Sequence, residues 1–277
     1  MVIGDKQGRS GLKEHKNIVE LFLEYFEMVP ATTDTLKYEA YGLRYQVYCL
    51  ETRFLNPNDF PDGLEKDEYD HSAEHFLIRH RKTGAYAATA RLILPDPNCP
   101  GWVFPIERLS RLECLELLHK VPRNRLAEAS RFCVSRDFKR RRGEAGTTTG
   151  LESQSLRDIL AASLDERRTL PHITVALIAC VVRMSAHHGI THWYGFMETS
   201  LIRLFRSLGM CWTVLGPVTD FHGARQPCII EISEYLDRVK ERNSQLWDML
   251  TDFGRFWRDD VQAVTGNQAS EGKSAAA

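Results

Sequence analysis

The stretch Leu126-Ala-Glu-Ala-Ser-Arg-Phe-Cys-Val-Ser135 has the apolar pattern of a buried strand, yet it carries two charged side chains. Side chains of a strand point alternately to its two faces. This alternation predicts Glu128, Ser130 and Phe132 on one face and Arg131 on the other. A carboxylate or guanidinium buried without a partner is costly, so each of these charges needs a partner or a chemical role.

The overall composition is that of an ordinary soluble globular protein. The 277 residues are 43% hydrophobic and 26% charged, with a net charge of -1. This charge gives no reason to expect nucleic acid or an anionic membrane as the main partner. The N-terminus is charged throughout, and the longest apolar run, Val175–Val182, is too short to span a bilayer. We therefore expect no integral membrane segment and a cytoplasmic location.

Cysteine and histidine are scattered along the chain. The seven Cys include no C-x-x-C pair, which indicates a reducing compartment and argues against a disulfide framework. The ten His lack the spacing of metal ligands, so no metal site is expected.

Strand patterns alternate with helix patterns along the chain. Glu74–Arg81 and Ala85–Leu94 read as two strands joined by a tight turn, and Pro171–His188 reads as a strongly apolar helix. This alternation predicts an α/β fold, in which one mixed sheet is flanked by helices. Further helices are predicted at 15–27, 107–119 and 235–257, and further strands at 191–197, 211–215 and 227–232.

One domain accounts for most of the chain, because no linker separates two apolar halves. It is predicted at 15–258, with a polar insertion at about 143–170 that is rich in Gly, Ser and Thr at its start. Residues 1–14 are expected to be frayed, and residues 259–277 to form a disordered tail.

A helix that starts at Asp34 or Thr35 carries two stripes of residues. The first stripe is apolar and should pack inward. The second places an arginine between two tyrosines, and the residues alone favour a solvated arginine. The inward stripe is Leu36, Ala40, Leu43, Val47 and Leu50, and the second stripe is Tyr41, Arg44 and Tyr48.

A long irregular loop at 53–72 places Glu65, Asp67 and Asp70 close together before the first predicted strand. Loops of this length in compact domains are usually functional or disordered. Arg91 lies inside the second strand among apolar residues, so it is either an edge cation or the partner of a carboxylate.

The order of these elements resembles the GNAT acyltransferase fold, with Arg140-Arg-Arg-Gly143-Glu-Ala145 as its R-x-x-G-x-A turn. More narrowly, the chain resembles acyl-homoserine-lactone (autoinducer) synthases and N-acyl amino acid synthases. The motifs that carry this resemblance are Arg44 with Tyr48 on the helix, Phe54 where those synthases usually carry tryptophan, the E-x-D-x-x-D loop Glu65/Asp67/Asp70, Arg91-Leu92, and the E-x-S-R strand Glu128–Arg131.

Three longer segments resemble the acyltransferases associated with PEP-CTERM/exosortase systems. They are FPDGLEKDEYD at 60–70, THWYGFME at 191–198 and FHGARQPCIIEI at 221–232.

The resemblance implies an N-acyltransferase that moves a long acyl chain from an acyl carrier protein or CoA thioester to the amine of an amino acid-like acceptor. The thioester is then a substrate, and no bound cofactor is expected. Two alternatives stay open. The chain could be an acyl-homoserine-lactone synthase that uses S-adenosylmethionine, or a non-catalytic module that binds acyl groups or the carrier.

The resemblance also implies roles for the residues of the opening strand. Glu128, with Ser130 at the reacting centre, is the candidate general base, and burial beside Leu126 and Phe132 would raise its pKa. Backbone N–H groups at Cys133, Val134 and Ser135 are candidate donors to the oxyanion of the thioester. Splayed strands at this position would form the pantetheine slot.

Two charged groups flank this centre. The basic run at 136–142 is expected to hold the donor's phosphate or to contact an acidic carrier protein, with Arg140, Arg142 and Gly143 as donor-binding residues. Arg91 and Arg131 are expected to form a charge cluster with the acidic loop and to shape the acceptor pocket. The full predicted cluster is Arg44, Glu65, Asp67, Asp70, Arg91 and Arg131.

Overall fold

One mixed sheet forms the centre of the molecule. The computed structural model describes residues 17–99, 101–139, 171–207, 209–221 and 223–257. The predicted frayed N-terminus, the polar insertion and the C-terminal tail lie outside these residues. The strands of the described chain are β1 (Phe26–Pro30), β2 (Ala73–His80), β3 (Tyr86–Ile93), β4 (Leu126–Val134), β5 (His192–Glu198), β6 (Thr213–Val214), β7 (Thr219–Asp220) and β8 (Ala224–Glu231).

The order of strands across the sheet is β1-β2-β3-β4-β5-β8-β6, and β7 also pairs with β8. Only β4 and β5 run parallel to each other; the other described pairs are antiparallel. The predicted α/β fold with a mixed sheet flanked by helices is therefore confirmed.

Helices cover both faces of the sheet. The long helix from Pro171 lies across one face and buries nearly all of its apolar side chains against β2, β3 and β4. The helix from Asp34 lies on the other face. The helices are α1 (Ile18–Tyr25), α2 (Asp34–Tyr45), α3 (Pro105–Leu109), α4 (Leu115–Leu118), α5 (Pro171–His188), α6 (Thr199–Ser207), α7 (Ile232–Arg242) and α8 (Ser244–Thr251).

β4 and β5 pair only at their starts. The last paired residues are Glu128 and Tyr194, although β4 continues to Val134 and β5 to Glu198. The strands diverge beyond this point and leave one edge of β4 open. The predicted splaying of strands beside the opening motif is confirmed.

A β-bulge in β4 reverses the side-chain alternation that the sequence predicts. Its register with β3 shifts between Thr89 and Arg91, and Arg131 has a left-handed φ of 53°. A bulge inserts one unpaired residue and turns the following side chains to the opposite face. Phe132 accordingly packs into the α5 core, whereas Arg131 lies on the face of Ser130. The prediction that Arg131 faces away from Ser130, and Phe132 towards it, is wrong.

Two predicted helices are interrupted. The segment 107–119 contains α3 and α4 separately, because the chain between them turns aside and the Glu113 N–H donates to the Leu215 carbonyl at 2.7 Å. The segment 235–257 contains α7 and α8, and Asn243 between them caps α8 by accepting from the Leu246 N–H at 3.0 Å. The N-terminal helix also ends early, since Phe26–Pro30 joins the sheet as β1.

A hydrogen bond inside the α5 core gives a test of this packing. Trp193 Nε1 donates to Ser185 Oγ at 2.7 Å, and both side chains are buried. Ser185→Ala should leave the indole N–H unpaired and lower the free energy of unfolding by about 1–3 kcal/mol. Urea denaturation measures this change. Ser200→Ala, at an exposed serine, should change it by less than about 0.5 kcal/mol, and an equal loss in both variants would contradict the prediction.

Candidate active site

A cluster of six charged side chains lies on the α2 face of the sheet, beside the open edge of β4. It joins α2, the loop before β2, and strands β3 and β4. We call this group the charge cluster; its members are Arg44, Glu65, Asp67, Asp70, Arg91 and Arg131. The predicted association of these six residues is present in the structure.

Asp70 lies at the centre of the charge cluster. Its carboxylate accepts from both terminal nitrogens of Arg44, at 2.7 and 3.0 Å, and from Arg91 Nη1 at 2.8 Å. The backbone N–H of Asp67 donates to Asp70 Oδ2 at 2.8 Å and closes the loop locally. These charges hold the pKa of Asp70 well below its usual range, although burial acts in the opposite direction.

The remaining pairs link the loop to β4. Arg44 Nε donates to Glu65, whose carboxylate also accepts from Arg131 Nε at 3.1 and 3.2 Å. Asp67 bridges Arg91 at 2.6 Å and Arg131 at 3.0 Å. Burial raises the pKa values of Glu65 and Asp67, but the arginines outweigh it and lower both. All three carboxylates are therefore ionised at neutral pH.

Exposure divides the charge cluster into two parts. Arg44, Glu65 and Arg91 are at most 1% exposed, whereas Asp67 and Arg131 are each 27% exposed. The buried part fastens the loop to the sheet, and the exposed part is available to a bound molecule.

Helix α2 supplies Arg44 because its apolar stripe packs inward. Ala40, Leu43 and Val47 are buried, as predicted, and this orientation also buries Arg44 rather than leaving it solvated. The helix widens from Gln46 to Glu51 into turns with i→i+5 hydrogen bonds. This change of pitch carries Leu50 out of the inward stripe, so the prediction that Leu50 packs inward is wrong: it is 55% exposed.

Glu128 lies at the last paired position before β4 and β5 diverge. It is 5% exposed, and its Oε2 accepts from the Ile106 N–H at 3.0 Å near the start of α3. Burial raises the pKa of Glu128 to about 7, and the Ile106 N–H and the charges of Arg91 and Arg131 only partly oppose it. The expected raised pKa is confirmed, but its apolar surroundings do not include Phe132, which the bulge turns away.

Ser130 is held by the charge cluster, since its Oγ accepts from Arg91 Nε at 3.1 Å. Cys133 is fully buried against α2, and burial raises the pKa of its thiol to about 12. The thiol is therefore protonated at neutral pH and unsuited to act as a nucleophile.

The three proposed backbone donors are not equivalent. The Ser135 N–H donates to the Ala87 carbonyl at 2.8 Å and is used within the sheet. Backbone groups of a strand point alternately to its two neighbours, so Cys133, paired with Thr89, also directs its N–H towards β3. The Val134 N–H points to the side from which β5 has diverged. Val134 is the residue of the three whose amide faces the opening.

The described part of the basic run is tied to the widened helical turns Gln46–Glu51 that follow α2. Glu51 accepts from the Arg136 N–H at 2.8 Å, and its carbonyl accepts from Arg136 Nη2 at 3.0 Å. Lys139 lies 3.9 Å from the same carboxylate, and Ser135 Oγ accepts from Gln46 Nε2 at 3.0 Å. Arg140, Arg142 and Gly143 lie outside the described residues.

Aromatic side chains line the same face next to Arg131. The Tyr48 hydroxyl donates to the Phe132 carbonyl at 3.1 Å, and the Tyr48 and Phe54 rings lie 6.0 Å apart. The guanidinium carbon of Arg225 in β8 lies 5.0 Å from the Phe54 ring centre.

Sequence reasoning missed Arg225 and the Ile106 amide. Pro105 is a helix-start signal that could have located the amide.

Two further properties concern the described residues only. No helix among them is long and apolar enough to cross a membrane. Within the same ranges, no group of three or more His, Cys, Asp or Glu side chains is arranged to hold a metal ion.

Asp70→Asn tests the structural role of the charge cluster. The change leaves two buried guanidiniums short of a counter-charge, so the free energy of unfolding should fall by about 3–5 kcal/mol, as when one partner of a buried ion pair is removed. Urea denaturation at pH 7 measures it. Asp62→Asn removes a pair with Lys66 in which both side chains are about half exposed, and should change little. Equal effects of the two variants would contradict a buried, coupled cluster.

Glu128→Gln tests the burial of the carboxyl. Its folded-state pKa of about 7 lies above the ordinary 4.5, so the wild-type protein loses stability as pH rises through about 7. The neutral variant lacks this loss, and its stability relative to wild type should increase by about 2–3 kcal/mol between pH 5 and pH 8. Chemical denaturation at both pH values measures this difference. A difference independent of pH would mean that the carboxyl is solvated.

Comparison with known proteins supports this interpretation of the fold. A family model described as acetyltransferase (GNAT) domain matches residues 43–148, which include the end of α2, the charge cluster and β4. No curated protein matches the chain at the level of sequence.

Similar folds occur among solved structures. TofI, in a ternary complex with an inhibitor and MTA, has a TM-score of 0.50 at 20% identity, with 80% of this chain and 99% of that chain covered. The CoA-dependent acyl-homoserine lactone synthase BjaI, with SAM and isopentyl-CoA, has a TM-score of 0.49 at 21% identity and coverages of 88% and 99%. FeeM, an N-acyl amino acid synthase from uncultured soil microbes, has a TM-score of 0.49 at 12% identity and coverages of 77% and 93%.

At these identities, the likeness to TofI shows a shared fold. The matched acetyltransferase domain and this fold together confirm the predicted enzyme class: the chain is an acyltransferase of the GNAT fold class.

Proposed function

We propose that the protein transfers an acyl group from a carrier-protein or CoA thioester to the amine of an amino acid-like acceptor. The observation that carries this proposal is Glu128, a buried carboxyl with a pKa of about 7 at the point where β4 and β5 diverge. A group of this pKa is suited to accept a proton at neutral pH. The sequence resemblance adds a long acyl chain, a cytoplasmic location and a relation to the PEP-CTERM/exosortase-associated acyltransferases to the same proposal.

The opening between β4 and β5 suits a thioester that lies along β4. The Val134 N–H faces this opening, and a backbone donor there can stabilise the carbonyl oxygen as it becomes an oxyanion. The donor would reach the opening from the turn after β4, where the basic run 136–142 begins. Acidic carrier proteins are attracted by such a run, chiefly through their rate of association.

The acceptor amine must lose a proton before or during its attack on the thioester. Glu128, directly or through one water, takes that proton in our proposal. The C–S bond of the thioester then breaks, and the departing thiolate takes up a proton and leaves as the free thiol of the carrier or CoA. Ser130 and Arg131 lie on the same face as Glu128, and Arg131, like Asp67, is a partly exposed member of the charge cluster. These residues and Asp67 form one wall of the acceptor pocket, while Arg44, Glu65, Asp70 and Arg91 hold that wall in place.

A second candidate function is lactone synthesis from S-adenosylmethionine. The shared fold with TofI, whose structure contains MTA, is the observation that favours it. Both functions begin with transfer of an acyl group to an amine, and they differ in the acceptor and in whether a ring closes. The products therefore distinguish them.

Incubation of the purified protein with acyl-carrier and acyl-CoA thioesters tests the proposal. The acceptors are a panel of amino acids and S-adenosylmethionine, and the products are identified by mass spectrometry. We expect an N-acyl amino acid. An acyl-homoserine lactone would instead establish the second candidate. Binding of the thioester without turnover would contradict both.

Glu128→Gln should reduce turnover to background, because the amide cannot accept the proton, while the variant remains folded. In the wild type, kcat/KM should rise with pH through about 7 and then level, since the base acts in its ionised form. Ser200→Ala, at an exposed serine whose hydroxyl donates to Glu198 and not to the charge cluster, is the control and should retain full activity. Unchanged turnover in Glu128→Gln would remove Glu128 from the mechanism.

A further inference from the structure

Arg225, near the start of β8, is held in a fixed position by backbone and aromatic contacts. Its Nε donates to the Phe221 carbonyl at 3.0 Å, and its Nη1 donates to the Phe196 carbonyl at 3.3 Å. The Phe54 ring lies on one side of the guanidinium, 5.0 Å from its central carbon. The side chain is partly buried. These contacts orient the guanidinium, but none of them supplies a negative charge.

No carboxylate of the described residues lies within 4.0 Å of the Arg225 guanidinium. Glu198 is its neighbour in strand register, yet that side chain is exposed and makes no ion pair with it. Burial consequently lowers the pKa of Arg225, even though Glu198 acts in the opposite direction. A partly buried cation in this state is stabilised by an anion that enters from outside.

A chain of contacts places Arg225 beside the open part of β4. Phe54 lies 6.0 Å from Tyr48, and the Tyr48 hydroxyl bonds to the Phe132 carbonyl of β4. The Arg131 guanidinium lies 5.9 Å from the Tyr48 ring on the same face. Arg225 and Arg131 thus flank one aromatic wall, at the end of the sheet where β4 and β5 have separated.

Charge balance distinguishes Arg225 from the arginines of the charge cluster. The cluster joins three guanidiniums to three carboxylates and is neutral as a unit. Arg225 therefore adds a positive charge on this face, within reach of a molecule that lies against Arg131 and Tyr48. The planar guanidinium fork matches the two oxygens of a carboxylate.

We infer that Arg225 binds the carboxylate of the acceptor, and that the acceptor is an amino acid with a free carboxylate rather than a simple amine. This inference rests on the proposed acyl transfer. The donor's phosphate is a different anion, and it is expected near the turn after β4. Arg225 instead lies on the aromatic wall beside Arg131, where the acceptor is proposed to bind, so the acceptor carboxylate is the anion that we assign to it.

The test compares three amino acids with their carboxamides as acceptors: leucine, phenylalanine and tyrosine. In the wild-type protein, kcat/KM should be about 10- to 100-fold higher for the acids, as expected for one charge-assisted pair of hydrogen bonds. Arg225→Gln should remove this preference and leave kcat/KM for the amides nearly unchanged. Arg225→Lys, which keeps the charge and loses the fork, should keep part of it.

Arg203→Gln, the same change at an exposed arginine of α6, is the matched control and should keep the full preference. A second series uses an N-acetylcysteamine thioester as donor, which has no phosphate. If Arg225→Gln lowers kcat/KM with the CoA thioester but not with the N-acetylcysteamine thioester, then Arg225 binds the donor, and the inference is overturned.

The remaining outcomes separate this inference from the proposed function. Acylation of amides and acids at equal rates by the wild type, or an unchanged preference in Arg225→Gln, overturns the inference and leaves acyl transfer intact. No acylated product from any acceptor overturns both. If Arg225→Gln does not fold, the wild-type preference and its reduction in Arg225→Lys still decide the matter.

Discussion

The site depends on the coupling between Asp70 and two buried arginines. Arg44 comes from α2, Arg91 from β3 and Asp70 from the loop that precedes β2, so this contact fixes three segments that are separate in sequence. Each ion alone would be costly to bury, and the hydrogen bonds between them offset that cost only while all partners are present. The long acidic loop is consequently held against the sheet rather than left in solvent.

The bulge at Arg131 determines which groups the cluster can reach. A regular strand would send Arg131 to the α5 core and place Phe132 beside Glu128. The inserted residue instead brings Arg131 to Glu65 and Asp67, and it puts Phe132 among apolar neighbours. The left-handed conformation of Arg131 thus lets its guanidinium pair with carboxylates on one face of the sheet, and it lets the Phe132 ring pack into the apolar core on the other. The same distortion precedes the segment of β4 whose edge β5 has left open.

Much of the fold followed from local patterns. The hairpin of β2 and β3, the apolar helix α5 and strand β4 are strongly periodic, and the structure has them within one or two residues of the predicted bounds. The resemblance of short motifs to those of autoinducer synthases also predicted the six members of the charge cluster. Short elements such as β1 and β7 were missed, because their strand conformation depends on pairing with distant residues.

The errors at the site have physical causes that a one-dimensional pattern does not contain. The alternation rule placed Arg131 on the wrong face because a bulge depends on the register of two strands. The helical spacing placed Leu50 inside because the pitch of the helix changes at Gln46. No role was predicted for Arg225, because its proposed role depends on its neighbours in space, and no carboxylate of the described residues forms an ion pair with it. In each case the missing information is tertiary.

Two kinds of carboxylate coexist on this face, and their neighbours account for the difference. Asp67 and Asp70 are surrounded by guanidiniums, which lower their pKa values despite burial. Glu128 lies near Arg91 and Arg131 as well, yet its pKa rises to about 7. Burial is the largest influence on Glu128, and the Glu107 carboxylate also raises its pKa, so the opposing Ile106 N–H and the charges of the two arginines offset only part of the rise. Arg91 and Arg131 are each paired with carboxylates of the acidic loop, and without that loop we expect their unbalanced charges to lower the pKa of Glu128 further. A loop that looks merely structural is in this way a condition for the chemistry we propose beside it.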